Sequence, residues 1–190
     1  MLANPAEFFR VVRVGLFRGD MSQSQVDGVN SIMAVWPKGT NARWLAYALA
    51  TAFHETDTSM EPIAEYGHGR GMRYGVPDPE TGQVYYGRGY VQLTWRFNYA
   101  RAEKEISGSD LVAHPDNAMK PTIAAEVMVR GMSEGWFTGV SLGHYFPLAR
   151  PQAADWVNAR RIINGLDCAA RIAGYALHFR DALEEGSYAP

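Results

Sequence analysis

Cysteine is nearly absent: Cys168 stands alone, so no internal disulfide can form. A chain held by its core rather than by cross-links suits a reducing compartment. Long apolar runs are missing too. Arg10 and Arg13 interrupt the apolar residues near the N-terminus, where a signal peptide would place a basic stretch followed by an unbroken apolar one. Neither a signal peptide nor a stable membrane insertion is expected. An excess of one charge is lacking as well, with 18 Lys and Arg against 20 Asp and Glu and a net charge of −2. That balance excludes the strongly basic surface of a nucleic-acid-binding protein. Metal-ligand spacing is also missing. His54-Glu55 begins like a zinc-protease motif, but Thr58 stands where the second histidine would be. Gly67-His68-Gly69-Arg70-Gly71 has the glycines of a phosphate loop, without the preceding strand and following helix. No metal and no organic cofactor is expected.

What remains is an ordinary globular composition, 47% apolar and 20% charged over 190 residues. One domain spanning 1–190 is expected, with a helical hairpin over 1–39 and a core over 40–190. Pro5 opens the first helix. Ser22-Gln23-Ser24-Gln25 reads as a capping box for the second, and Val26, Val29, Met33 and Trp36 give it an apolar face. A third helix over about 42–56 has Leu45, Leu49, Ala52 and Phe53 in a stripe and alanines that permit close packing. It is expected to be central and buried. Further helices are expected near 94–106, 121–136, 151–163 and 167–184.

Helix signals fade between Asp57 and Gly89, where Gly67, Gly69, Gly71, Gly75, Gly82, Gly87 and Gly89 punctuate the chain. The turn Val76 to Gly82, flanked by Met72-Arg73-Tyr74 and Gln83-Val84-Tyr85-Tyr86, predicts a small β-hairpin. The fold class is therefore mainly α (α+β), and no surface calls for more than a monomer.

The chemistry gathers between Phe53 and Tyr99. Glu55 ends the apolar third helix, where partial burial and the negative end of the helix dipole favour a protonated carboxyl. Glu61 and Glu65 follow in the glycine-rich segment, which could fold back across a cleft and move as a ligand binds. An acid and a base on separate elements are what an inverting glycosidase needs, about 6.5–9.5 Å apart with water between them. Periodicity does not choose between Glu61 and Glu65.

Phe53-His54-Glu55-Thr56, the run Tyr85-Tyr86-Gly87-Arg88-Gly89-Tyr90-Val91-Gln92-Leu93-Thr94-Trp95 with Asn98-Tyr99, and Ile163-Asn164-Gly165 followed by Cys168 and Arg171 resemble glycoside hydrolase family 19. That family includes chitinases and a branch of phage endolysins that cut peptidoglycan. The resemblance implies a lysozyme-like, two-lobed helical domain with a central substrate groove. It implies that Glu55 is the general acid, Glu65 the general base and Thr94 a holder of the attacking water. His54, Tyr86, Gln92, Asn98 and Asn164 match substrate-binding positions, and Arg88 and Arg171 match arginines bracing the acidic site. Asp57, Thr58 and Ser59 replace glycines that often follow the first motif, and Tyr90 replaces a proline.

The expected activity is endolysin-type hydrolysis of β-1,4 bonds in peptidoglycan. The alternatives are a chitinase acting on N-acetylglucosamine polymers and a non-catalytic glycan-binding protein. The expected partner is thus peptidoglycan or a chitin-like glycan. The peptidoglycan expectation includes cytoplasmic synthesis and release to the cell wall through a membrane pore made by another protein.

Overall fold

The computed structural model describes residues 2–147 and 151–189. Eight α-helices occur among them: α1 (Pro5–Leu16), α2 (Gln23–Ala34), α3 (Ala42–Glu55), α4 (Arg96–Glu105), α5 (Pro121–Glu134), α6 (Leu142–Tyr145), α7 (Ala153–Asn158) and α8 (Ala169–Glu185). The sheet consists of two short strands, β1 (Ile63–Ala64) and β2 (Arg88–Gly89), paired antiparallel with Ile63 opposite Gly89 and Ala64 opposite Arg88. None of the helices is long and apolar enough to cross a membrane, among the described residues.

Helix α3 is the axis of the molecule. Every residue from Leu45 to Phe53 is buried, because the helix is apolar on all sides and must be surrounded. Its alanines let α8 lie close, and that is its principal contact. Phe53 joins three rings from other elements, with centroids 5.1 Å from Phe17, 4.8 Å from Tyr175 and 6.2 Å from Phe179. Burying a side chain of this size contributes about 2–3 kcal/mol. The last turn of α3, carrying His54 and Glu55, emerges from this core only partly exposed. The core thus gives Glu55 a rigid mount.

The capping box at Ser22 forms as the sequence predicts: Gln25 N–H donates to Ser22 Oγ at 3.2 Å, and Gln25 Oε1 accepts from Ser22 N–H at 2.8 Å. The expected N-terminal hairpin does not form as a self-packed pair. The main partner of α1 is α8, and that of α2 is α5. Each amphipathic face is satisfied by the core instead of by its neighbour in sequence.

The expected β-hairpin around Val76–Gly82 is also corrected. That stretch is a local turn, closed by Asp78 N–H donating to Gln83 O at 2.8 Å and Gly82 N–H donating to Asp78 O at 2.8 Å. Arg73–Gly75 forms a single 3-10 turn. The β element pairs segments that flank this loop, so the small β lobe is a loop closed at its base by β1 and β2. Near the C-terminus, the expected helix at 151–163 divides into α7 and a 3-10 turn at Ala159–Ile162. The helix expected at 167–184 starts at Ala169, and Cys168 precedes it, half-buried, with φ +54°.

Candidate active site

Two clusters of polar side chains form around the two carboxylates. The first surrounds Glu55. Arg160, in the 3-10 turn after α7, is 3% exposed. Its Nη1 donates to Glu55 Oε1 in a short ion pair, and its Nε donates to Asp167 O at 3.1 Å. Arg160 O also accepts from Asn164 N–H at 3.1 Å, which places the Ile163–Gly165 turn on this side. Asn164 is exposed, and its Oδ1 accepts from Gly165 N–H at 2.9 Å. Partial burial holds the His54 imidazole below its ordinary pKa, Glu55 and Asp167 act against that shift, and the positive charges of Arg160 and Arg171 reinforce it.

Arginine 171 does not brace the carboxylate. Its side chain is exposed and makes no hydrogen bond or ion pair among the described residues, acting on His54 only through its charge. The bracing residue is Arg160, which no sequence motif singles out.

The second cluster surrounds Glu65, immediately after β1. Its backbone N–H donates to Gly87 O at 2.8 Å. Its Oε2 accepts from Gly87 N–H at 3.1 Å, and its Oε1 accepts a short bond from Gly69 N–H. Gly87 has to lack a side chain: a Cβ there would sit 2.8 Å from Gln92 Oε1 and 2.9 Å from Glu65 Oε2. Burial and the nearby Glu65 charge push the Tyr74 hydroxyl above its ordinary pKa. Tyr74 packs edge-on against Trp95, with centroids 5.6 Å apart. Thr94 is half-buried, and its side-chain hydroxyl makes no hydrogen bond among the described residues. Its carbonyl accepts from Asn98 Nδ2 at 2.9 Å. Gln92 Nε2 donates to Ile63 O and Gly89 O, both at 3.2 Å. That amide therefore fastens the two strands as well as lying beside Glu65.

Glutamate 61 belongs elsewhere. It is exposed and lines a groove toward α2 with Asp27, Ser31 and Tyr90. Tyr90 is fully buried; burial pushes its pKa up to about 12, and the Glu61 charge adds to the shift.

Arginine 88 is buried, 4% exposed, and is not a surface for substrate. Its Nε donates to Asp116 Oδ1 at 2.8 Å, and its Nη1 donates to Val84 O at 3.0 Å and Tyr99 Oη at 3.1 Å. It braces the floor of the β lobe and touches neither glutamate. Its guanidinium lies 3.5 Å from the Tyr86 ring centroid, and His68 stacks on that ring at 4.7 Å and 15°. With both faces covered, Tyr86 offers a ligand its edge and hydroxyl.

Exposed rings add a third feature. Trp95 and Phe97 stack at 6.3 Å and 24°, and are 39% and 66% exposed. Trp95 adjoins Tyr74, which adjoins Glu65. Among the described residues no cluster of His, Cys, Asp and Glu could hold a metal ion. A cavity of about 530 Å³ opens at the far end of α3, lined by Thr40, Asn41, Leu183 and Tyr188, and none of the residues above reaches it.

The family profile for class I chitinases, glycoside hydrolase family 19, matches residues 38–169. The chain belongs to glycoside hydrolase family 19. Among curated relatives, it is 32% identical over 157 residues to Chitinase 3 of Oryza sativa subsp. japonica, covering 66% of this chain and 47% of that one. It is 32% identical over 95 residues to Endochitinase CH5B of Phaseolus vulgaris, covering 50% and 26%. The chain thus spans about half or less of the length of these relatives. Chitinase C from Streptomyces griseus superposes with a TM-score of 0.59 at 23% identity, covering 96% of this chain and 75% of that structure. The class IV family 19 chitinase of Zea mays does so with 0.57 at 20%, covering 99% and 94%. These likenesses establish the lysozyme-like family 19 fold. Helix α1 and helix α2 lie outside the profile match, yet α2 supports the turn between the two glutamates. Gln25 Nε2 donates to Thr58 O at 3.1 Å, and a Cβ on Gly28 would lie 1.8 Å from Met60 O.

Proposed function

We propose that residues 1–190 act as one glycosidase unit that hydrolyses β-1,4 bonds between N-acetylglucosamine units of chitin-like polymers, with inversion. The observation that supports it is the presence, in a family 19 chain, of two glutamates held by independent sets of partners on two different elements. Glu55 protonates the leaving glycosidic oxygen. Glu65 takes a proton from a water that Thr94 helps to hold, and that water attacks the anomeric carbon from the opposite face. Gly69 and Gly87 orient the base, since each of its oxygens accepts a backbone N–H. His54, Tyr86, Gln92, Asn98 and Asn164 contact the sugar through their free polar atoms, and the exposed Trp95–Phe97 pair offers flat apolar surface to sugar rings. Arg88 and Arg171 act on the site from outside direct contact. The reaction is acid–base chemistry on two carboxyls and calls on no cofactor.

Chitin is preferred over peptidoglycan as substrate because the relatives of this chain are named as chitinases. Release of reducing ends from chitin oligomers, beside mass spectrometry of digested peptidoglycan, tests the preference. Cleavage of peptidoglycan alone would instead support an endolysin that reaches the wall through a membrane pore. Glu55→Gln should lower turnover of chitin oligomers by roughly a thousandfold, within the range for loss of an acid–base group. Glu65→Gln should lower it strongly, and Glu61→Gln should leave it near the wild-type value. An active Glu55→Gln protein, or a wild type that binds oligomers without cutting them, would overturn the proposal.

A further inference from the structure

The two N–H groups that hold Glu65 come from different segments. Gly87 belongs to the chain entering β2, and Gly69 to the loop that follows β1. Something has to keep that loop seated, because Gly67, Gly69 and Gly71 leave its backbone free to adopt many conformations. Two contacts seat it. Gly69 and Gly75 meet backbone to backbone, so closely that a Cβ on Gly75 would lie 1.8 Å from Gly69 O. The second contact is a stack of three planar groups. His68 lies parallel to Tyr86 at 4.7 Å, and Arg88 covers the other face of Tyr86 at 3.5 Å. His68 adjoins Gly69 in the chain, and Tyr86 adjoins Gly87.

Tyr86 itself is fixed from behind. Its carbonyl accepts from Tyr99 Oη–H at 2.7 Å, and the buried guanidinium beneath it is anchored to Asp116. His68 is the exposed outer leaf, so it is the replaceable part of the stack. It also has a left-handed backbone, φ +46°, a conformation that histidine and asparagine tolerate better than most residues.

We infer that the His68–Tyr86–Arg88 stack is a clasp, with His68 a positioning residue that keeps the Gly69 N–H on Glu65 and so aims the base at its water. This rests on the reading of Glu65 as the base. A cation on one face of an aromatic ring and a flat ring on the other are both favourable arrangements, so the clasp needs no substrate to close.

The test compares His68→Asn with His68→Phe. Asparagine keeps the tolerance for left-handed backbone and removes the ring; phenylalanine keeps a flat ring and fits the backbone less well. If the stack positions the base, His68→Asn should lower kcat on chitin oligomers by roughly ten- to a hundredfold with KM nearly unchanged, on the scale expected for a displaced catalytic group. His68→Phe should stay close to wild type. The Gly69 amide proton, in its bond to a carboxylate, should move upfield in His68→Asn and hold its position in His68→Phe. The opposite order of activities, or a His68→Asn protein with wild-type kcat and an unmoved Gly69 amide, would overturn the clasp. Glu65→Gln run in parallel separates the two ideas. If Glu65→Gln stays active, the base assignment fails, while the amide shift still decides whether the clasp holds the loop.

Discussion

Glu55 and Glu65 are ten residues apart in sequence and are held in contrasting ways. Glu55 stands at the end of a helix buried on all sides, and its partner is a charged side chain, Arg160, from 105 residues away. Glu65 stands in a glycine-rich loop, and its partners are backbone N–H groups of Gly69 and Gly87. The first arrangement ties the carboxyl to the stability of the whole fold. The second ties it to local loop geometry. The two carboxylates are thereby kept in independent settings, so that one can be altered without the other.

The largest expected difference lies in stability. Arg160→Leu leaves a mostly buried carboxylate without its partner, and breaking such a pair costs about 3–5 kcal/mol. Thermal unfolding should show a large loss, and the double variant Arg160→Leu with Glu55→Leu should recover much of it. Glu65→Gln should change the unfolding temperature little. If both sites gave the same loss of stability, the contrast between them would fail.

A smaller effect sits in the turn that joins the two sites. Asp57, Thr58 and Met60 all have positive φ, at 49°, 68° and 57°. A β-branched threonine is strained there, and the turn is kept by Gln25 and Gly28 of α2. Thr58→Gly should relieve about 1 kcal/mol, seen as a rise in unfolding temperature with activity retained. A fall in stability would mean that the threonine is not strained.

The smallest effect is on pH dependence. Burial lowers the His54 pKa below its ordinary value of 6.5. The unfolded chain therefore binds the proton more readily in the window from 6.5 down to the folded value. Stability contributed by neutral His54 is present above 6.5 and is lost as pH falls through that window. Denaturant unfolding at pH 7 and pH 5 should show a smaller pH-dependent loss for His54→Gln than for wild type. An equal loss would assign the dependence to other groups.

Much of this architecture was legible from local pattern. The capping box at Ser22, the all-round apolar character of 45–53, and the glycine punctuation after Asp57 each rest on residues near one another in sequence. The motifs at 53–56 and 85–95 pointed to the family. The parts that were not legible depend on distant contacts. β1 and β2 have two residues each, too short for alternation to show, and they pair across the whole Glu65–Gly87 segment. Arg160, Arg161 and Arg171 look alike in sequence, and only folding reveals that Arg160 is the buried one. The left-handed backbone at Asp57 and Thr58 had a signal: these residues stand where the family often has glycines. That signal bears on backbone conformation as well as on groove shape. The mobility expected of the Asp57–Gly89 segment meets a structure in which Glu65 is bonded at its backbone and at both carboxylate oxygens.

The central claim is that Glu55 and Glu65 cut a glycosidic bond with a water held between them. The most direct test is proton NMR of chitin-oligomer hydrolysis at its earliest times. The account predicts that the newly formed reducing end appears first as the α-anomer and then equilibrates. First appearance of the β-anomer would show retention and contradict it.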